Sequence, residues 1–329
     1  MNLAGSKALV TGAAGFIGSH LVERLVADGC RVRCFVRYTS RSDRGWLAEL
    51  PPETQKSIKI VAGDLKDSDA VRGAVRGCEV VFHLGALIGI PYSYIHPRNY
   101  VDTNIVGSTN VLCACRDFDV ERLVHVSTSE VYGSAQYVPI DEKHPKVGQS
   151  PYSASKIAAD MLAESFHRSF ELPVTIIRPF NTFGPRQSLR AVIPTIVTQL
   201  LKDGKVKLGA TSPTRDLTYV EDTVAGLIRG AEVDGAVGRA INLGSGQEIA
   251  IGELAAKLAE FVGVELELEQ DRQRLRPAES EVTRLLADNS RAREILGWQP
   301  KKTLEAGLAE TVAWYRKRLT EYPADEYVT

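Results

Sequence analysis

A short apolar run, Lys7 to Thr11, passes straight into Thr11-Gly12-Ala13-Ala14-Gly15-Phe16-Ile17-Gly18, and that octet opens without a break into an amphipathic stretch ending at Ala27. Few local patterns restrict a chain more than a strand that becomes a helix through glycines three apart. Gly12 and Gly15 let the backbone turn and approach a ligand with no Cβ in the way, and Gly18 permits close packing of helix on strand. The helix start, with Phe16 and Ile17, offers N–H groups and positive potential to an anion. Glycine is common at any strand-to-helix turn. The position of this one, at the head of an alternating series, selects a dinucleotide pyrophosphate.

The series continues with β-rich runs at Arg31 to Arg37, Ile58 to Ala62, Val80 to Leu84, Arg122 to Ser127 and Val174 to Arg178. Helical patterns fall between them at Ser68 to Arg76, Asn99 to Arg116 and Ser153 to Phe170. Such alternation predicts an α/β fold, a doubly wound parallel sheet covered by helices. From Pro179 onward Pro and Gly become frequent, strands shorten and helices stand alone, as at Ala191 to Lys202 and Ile251 to Val262. The expectation is a dinucleotide-binding domain from residues 1–178, rejoined by about 214–243 through Leu217 to Ala231 and Ala240 to Leu243. Residues 179–213 and 244–329 then form a smaller C-terminal α/β substrate-binding region, with Pro323 to Thr329 expected to fray.

Charge and cysteine usage narrow the partners. Forty Lys and Arg oppose forty-one Asp and Glu for a net charge of −1, so no field favours a polyanion and nucleic acid is not an expected partner. The longest apolar runs, such as Val80 to Ile90, are too short to span a bilayer, and no charged leader precedes Lys7, which predicts a cytoplasmic protein with no membrane partner. Cys30, Cys34, Cys78, Cys113 and Cys115 have no metal-ligand spacing, so reduced, packed thiols and no metal site are expected. One intervening residue on a helix points Cys113 and Cys115 apart.

Ribose recognition in such folds sits at the end of the second strand, where an acidic residue accepts from the 2′-hydroxyl. Arg37 occupies that place here, with Arg41 close behind, and two cations there favour a 2′-phosphate and thus NADP over NAD. An Arg37 that stacks on adenine or faces water is the alternative. Asp64 and Leu65 end the third strand within reach of the adenine. Leu84 and Ala86 follow the fourth beside the expected cofactor, while His83 reads as a packed or hydrogen-bonded residue. Further on, Tyr152 and Lys156 stand four apart at the start of a helix, on one face. An ammonium beside the phenol, together with a positive nicotinamide, brings a group of ordinary pKa about 10 towards a working base. Ser127-Thr128-Ser129-Glu130-Val131-Tyr132-Gly133, ending the fifth strand, adds a hydroxyl and a carboxylate to the same cleft.

With these residues assembled, nearly the whole chain resembles the extended short-chain dehydrogenase/reductases, a Rossmann family, and among them the nucleotide-sugar 4,6-dehydratases. The likeness rests on the glycine turn, Thr128, Tyr152 with Lys156, Arg178-Pro179-Phe180-Asn181-Thr182-Phe183-Gly184-Pro185-Arg186, Arg215-Asp216-Leu217-Thr218-Tyr219-Val220-Glu221-Asp222, and Arg276-Pro277. It implies that Asn181 holds a sugar diphosphate, that Arg215 and Arg276 clamp phosphates, and that the Ala191 to Ile196 stretch, with Val192, passes under the nucleobase. Asn104 matches the family's structural asparagine beside the cofactor. Pairing in the family uses the helices at Asn99 to Arg116 and Ser153 to Phe170, which implies a homodimer built as a four-helix bundle.

The triplet Thr128-Ser129-Glu130 is similar to the GDP-mannose 4,6-dehydratase pattern: the Glu that removes a C5 proton is kept, and the Asp that many 4,6-dehydratases use as acid is absent. The resemblance therefore implies that Glu130 takes the proton and returns it, with Ser129 orienting water or substrate. The runs Pro91-Tyr92-Ser93-Tyr94 and Ser134 to Ile140 look most like dehydratases of nucleotide-linked N-acetylglucosamine in legionaminic-acid-type pathways, with Tyr92 on the substrate side. The implied reaction is internal hydride transfer on a UDP- or GDP-linked hexose, giving the 4-keto-6-deoxy sugar with the cofactor retained. A 4-epimerase, a UDP-glucuronate decarboxylase and a 5,6-dehydratase share the fold. A nucleotide-binding regulator without turnover is the reading from another class, and Tyr152, Lys156 and Glu130 stand against it.

Overall fold

Six pairings, all parallel, join seven strands in the order β3-β2-β1-β4-β5-β6-β10. The strands are β1 (Lys7–Thr11), β2 (Arg31–Arg37), β3 (Lys59–Gly63), β4 (Val80–His83), β5 (Arg122–Val126), β6 (Val174–Pro179) and β10 (Ala240–Leu243). The computed structural model describes residues 1–322, so the expected fraying of Pro323 to Thr329 lies outside the described residues. Every residue of β4 and β6 is buried, as strands covered by helices on both faces require. Strand order reverses between β1 and β4, and the crevice at their carboxyl ends is where an open α/β sheet binds its ligand.

Strand positions deviate from the expected ones by a residue at a few ends; β3, for example, runs Lys59–Gly63 rather than Ile58 to Ala62. Between β2 and β3 the chain adds a turn at Gly45–Glu49 and a helix at Pro52–Ser57 that periodicity did not announce. The tyrosine helix begins at Pro151, not Ser153, because Ser150 caps it: its hydroxyl accepts from Ser153 N at 3.1 Å while Ser150 N donates to Ser153 Oγ at 2.9 Å.

Asn99 to Arg116, expected as one helix, comprises Pro97–Tyr100, a π turn at Val101–Val106 and the helix Gly107–Asp117. The buried Asn104 lies within that wider turn, its side chain accepting from Leu87 N at 2.8 Å and donating to Leu87 O and to Ser155 Oγ, each at 2.9 Å. One asparagine thus pins the loop after β4 to the tyrosine helix.

Beyond β6, β7 (Asn181–Phe183), β9 (Thr214–Tyr219) and β11 (Glu248–Ala250) form a small sheet of order β11-β9-β7, and β8 (Lys205–Leu208) pairs with β12 (Glu267–Gln270). The return to the large sheet therefore starts later than about residue 214: Thr214–Tyr219 pairs in the small sheet, and it is the next helix, Val220–Glu232, that packs on the helix Phe16–Ala27 and on β5 and β6. One hydrophobic core runs through both regions, joining Val10 and Leu21 to Ile196, Val224, Leu254 and Leu308. At about 1.5–3 kcal/mol for each fully buried aliphatic side chain, this shared core fixes the walls of the crevice relative to each other.

Among the described residues no helix is long and apolar enough to cross a membrane. All five thiols are unbridged; Cys115 is buried while Cys113, two residues before it, is half-buried, and burial pushes the Cys34 thiol up to about 12.

Candidate active site

At the end of β1 the backbone turns through Gly12, whose φ is +68°, and Gly15 N closes the turn on Gly12 O at 3.0 Å. A Cβ on Gly12 would stand 2.9 Å from Gly85 N in the loop after β4, and one on Gly18 would stand 2.2 Å from Gly12 O. The helix that follows, Phe16–Ala27, has neither a side-chain cap nor an acidic residue in its first turn. Its amino end thus keeps positive potential towards a turn in which Gly12 and Gly18 leave no room for a Cβ, which fits a dinucleotide diphosphate. Leu65 packs beneath the cradle, near Gly85 and Gly107. Leu84 and Ala86 flank Gly85, Asp64 accepts from Lys66 N at 2.9 Å, and Arg37 and Arg41 are exposed at and beyond the end of β2. The buried His83 is hydrogen-bonded on both nitrogens, to Thr11 Oγ1 at 2.8 Å and Ser108 Oγ at 3.0 Å, and so is structural.

Thr128 caps the short turn Ser129–Tyr132 after β5, accepting from Glu130 N at 3.2 Å. That cap holds Thr128 on the Tyr152 side of the turn, where its hydroxyl works to lower the pKa of the phenol. Ser129 is buried, whereas Glu130 is only partly so. Tyr100 meets the Tyr152 ring edge-on at 6.2 Å between centroids, and Tyr92 lies 6.2 Å beyond Tyr100. Lys156 lies one turn along the helix from Tyr152, and its ammonium donates to Val126 O at 2.8 Å. The phenol is not acidified by the protein alone. Burial pushes its pKa above the usual tyrosine value, the Thr128 hydroxyl offsets part of that, and the Glu130 charge adds to the rise. Burial also lowers Lys156, to about 8.

Across the crevice, β9 supplies Arg215, which is buried, with its guanidinium donating to Thr214 O at 2.9 Å and to Glu281 at 3.3 Å. Arg276 reaches the same Glu281 oxygen at 3.7 Å. Burial lowers the Arg215 pKa, and the Glu130 carboxylate is the foremost charge opposing it. The Glu130 charge thus acts on both the phenol and Arg215. Asn181 starts β7 with its Oδ1 buried and without a hydrogen-bond partner, and Val192 opens the helix Val192–Asp203. Glu281, between two arginines, was not singled out in the sequence; an acidic residue five beyond Arg276 was the available signal.

Sheet order, glycine cradle and a Tyr–Lys helix beside the Thr-Ser-Glu turn define an extended short-chain dehydrogenase/reductase of the nucleotide-sugar dehydratase/epimerase class. The chain belongs to the GDP-mannose 4,6 dehydratase family, which it matches over residues 9–311. It is 35% identical over 320 residues, 95% of this chain and 99% of the relative, to a UDP-glucose 4-epimerase of Mycolicibacterium smegmatis. It is 33% identical over 315 residues to a dTDP-glucose 4,6-dehydratase of Streptomyces antibioticus, covering 94% of this chain and 92% of that one. The structure of DesIV, a dTDP-glucose 4,6-dehydratase from Streptomyces venezuelae solved with NAD bound, superposes with a TM-score of 0.86 at 31% identity over 96% of this chain and 98% of that one.

Proposed function

We propose that the protein is a nucleotide-sugar 4,6-dehydratase converting a UDP- or GDP-linked hexose, N-acetylglucosamine foremost, to the 4-keto-6-deoxy sugar. The observation that carries this reading is the Thr128-capped turn after β5, which holds the backbone of a partly exposed Glu130 in place, its charge acting on both the Tyr152 phenol and the Arg215 guanidinium. A carboxylate between a base for a sugar hydroxyl and a cation for a diphosphate is what loss of water needs and epimerisation does not. Tyr152 takes the C4 hydroxyl proton while Thr128 holds the oxygen and Lys156 supplies positive charge beneath. Glu130 removes the proton from C5, made acidic by the C4 ketone, and passes it to the departing C6 hydroxyl, with Ser129 supporting the turn. Asn181, Arg215 and Arg276 hold the diphosphate, Val192 lies under the base, and Tyr92 borders the sugar. A nicotinamide dinucleotide would be held by Gly12, Gly15, Phe16, Ile17 and Gly18, flanked by Asp64, Leu65, Leu84, Ala86 and the loop that Asn104 pins; it would supply the acceptor for the C4 hydride and give that hydride back to C6 of the C5–C6 alkene left by water loss, while C5 regains a proton from solvent.

The test is a screen of UDP- and GDP-hexoses with NMR of the product. The expected result is a 4-keto sugar with a C6 methyl group; a C4 epimer overturns the assignment and establishes the second reading, which the 35% identity to a 4-epimerase favours.

We further assign NADP as the cofactor, from exposed Arg37 and Arg41, and a homodimer as the assembly. Val101 and Val106 on the π turn and Met161 on the tyrosine helix are 47%, 43% and 48% exposed, on the segments that a four-helix bundle would cover. Native mass spectrometry checks both points. Two chains, each with one NADP, is the expected species, and a monomer or released NAD contradicts the corresponding half.

A further inference from the structure

Behind Lys156, on the sheet side of the tyrosine helix, lies a buried layer of charged and polar groups that the dehydration scheme does not use. Asp160 stands one helical turn beyond Lys156 and is completely buried, as nearly is Lys156, at 0% and 4% exposure. Arg178, from β6, donates through Nε to Asp160 Oδ2 at 3.0 Å and through Nη1 to the Tyr132 hydroxyl at 2.9 Å, which in turn donates to Asn242 Oδ1 at 2.7 Å. His125, from β5, stands 3.4 Å from Asp160 Oδ1, and the His83 ring, on β4, lies 5.6 Å from that of His125. Burial holds both histidines below their ordinary pKa, so at neutral pH the layer consists of two cations, Lys156 and Arg178, around one anion.

A buried ammonium with a single carbonyl acceptor is costly unless a counter-charge stands near. The titratable groups around Lys156 are Asp160 and Tyr152, one turn to either side on its own helix, with His125 on β5 and His83 on β4. Among them Asp160 is the buried carboxylate, and it is tied in place by a guanidinium on a neighbouring strand. We propose that Asp160 is the positioning residue of the cleft: anchored by Arg178, it keeps the Lys156 ammonium charged beneath the substrate. This rests on the reading in which Tyr152 and Lys156 act together. Asp160 touches no reacting atom and works only through the lysine.

The test reads Lys156 itself. In protein labelled with 13C at lysine Cε, the resonance lost in Lys156→Met reports the ammonium, and its titration midpoint is followed by NMR in the intact chain. Removing a buried opposite charge one helical turn away is expected to lower such a midpoint by about one pH unit. That downward shift is the expected result for Asp160→Asn. Since this change leaves Arg178 with Glu164, at 3.8 Å, as its remaining carboxylate, the double variant Asp160→Asn with Arg178→Gln, which removes the guanidinium, is measured beside it and is expected to shift in the same direction. A midpoint that stays within about 0.3 of wild type in whichever variant folds overturns the proposal, because loss of a purely structural contact would lower thermal stability and leave the titration in place. Turnover distinguishes the two levels of the argument. Lys156→Met at undiminished rate overturns the paired role of tyrosine and lysine, whereas an inactive Lys156→Met with an unmoved midpoint in the Asp160 variants overturns only the counter-ion.

Discussion

Replacing Glu130 by Gln is expected to lower formation of the 4-keto-6-deoxy product by about 10²- to 10⁴-fold, the usual worth of a positioned acid–base group, while oxidation at C4 persists. The glutamine is nearly isosteric, and the turn that carries it is held by the Thr128 cap on the residue 130 backbone rather than by the carboxylate, so the fold around it stays. The effect on C4 oxidation runs the other way. The Glu130 charge raises the Tyr152 pKa, so a neutral side chain there makes the phenol a more acidic group and leaves proton removal from the C4 hydroxyl intact or easier. Stopped-flow absorbance of the reduced nicotinamide, set against NMR of the released product, separates the two steps. Equal loss of both would mean that Glu130 acts on the whole site and not at C5.

Gly18→Ala is expected to remove bound cofactor and to destabilise the fold. The added Cβ would stand 2.2 Å from Gly12 O, 2.9 Å from Gly12 C and 3.0 Å from Ala13 Cα, all backbone atoms of the phosphate turn, so no rotamer change relieves the clash. Shifting the helix off β1 costs on the order of 1–3 kcal/mol, as overpacking in well-packed regions does, and it opens the turn that the diphosphate requires. Calorimetric Tm and the nucleotide released on denaturation measure the two consequences. Gly73→Ala is the control. It lies in the helix Ser68–Val75 with nothing within 4 Å of the new Cβ, and alanine there is expected to be neutral or to gain up to about 1 kcal/mol. A Gly18→Ala protein with wild-type Tm and full cofactor content would contradict the described cradle.

What the residues alone conveyed depended on whether each signal was local. The glycine turn is a run of consecutive positions whose meaning comes from backbone sterics, and the strands of the large sheet are short β-rich runs between breakers; both were legible. Asn104 was recognisable as a motif residue, but its π turn was not, since the widening comes from Leu87 and Ser155, 17 and 51 positions away. The strand Thr214–Tyr219 shared the texture of its neighbours, and only its pairing with Asn181–Phe183 and Glu248–Ala250 assigned it to the small sheet. In the site, Tyr152 and Lys156 stood out by spacing. Their protonation did not follow from spacing, because burial outweighs proximity for both groups. The Asp160–Arg178 pair joins a helix to a strand across the core, and neither residue announces the other.

In the proposed reaction Glu130 abstracts the hydrogen at C5, and turnover in D2O reads that event. With a UDP- or GDP-hexose that yields product, the wild-type enzyme is predicted to place solvent deuterium at C5 of the 4-keto-6-deoxy sugar, seen by NMR, and Glu130→Gln to lose that incorporation along with the product. Solvent deuterium entering C5 at the wild-type rate in Glu130→Gln would contradict it.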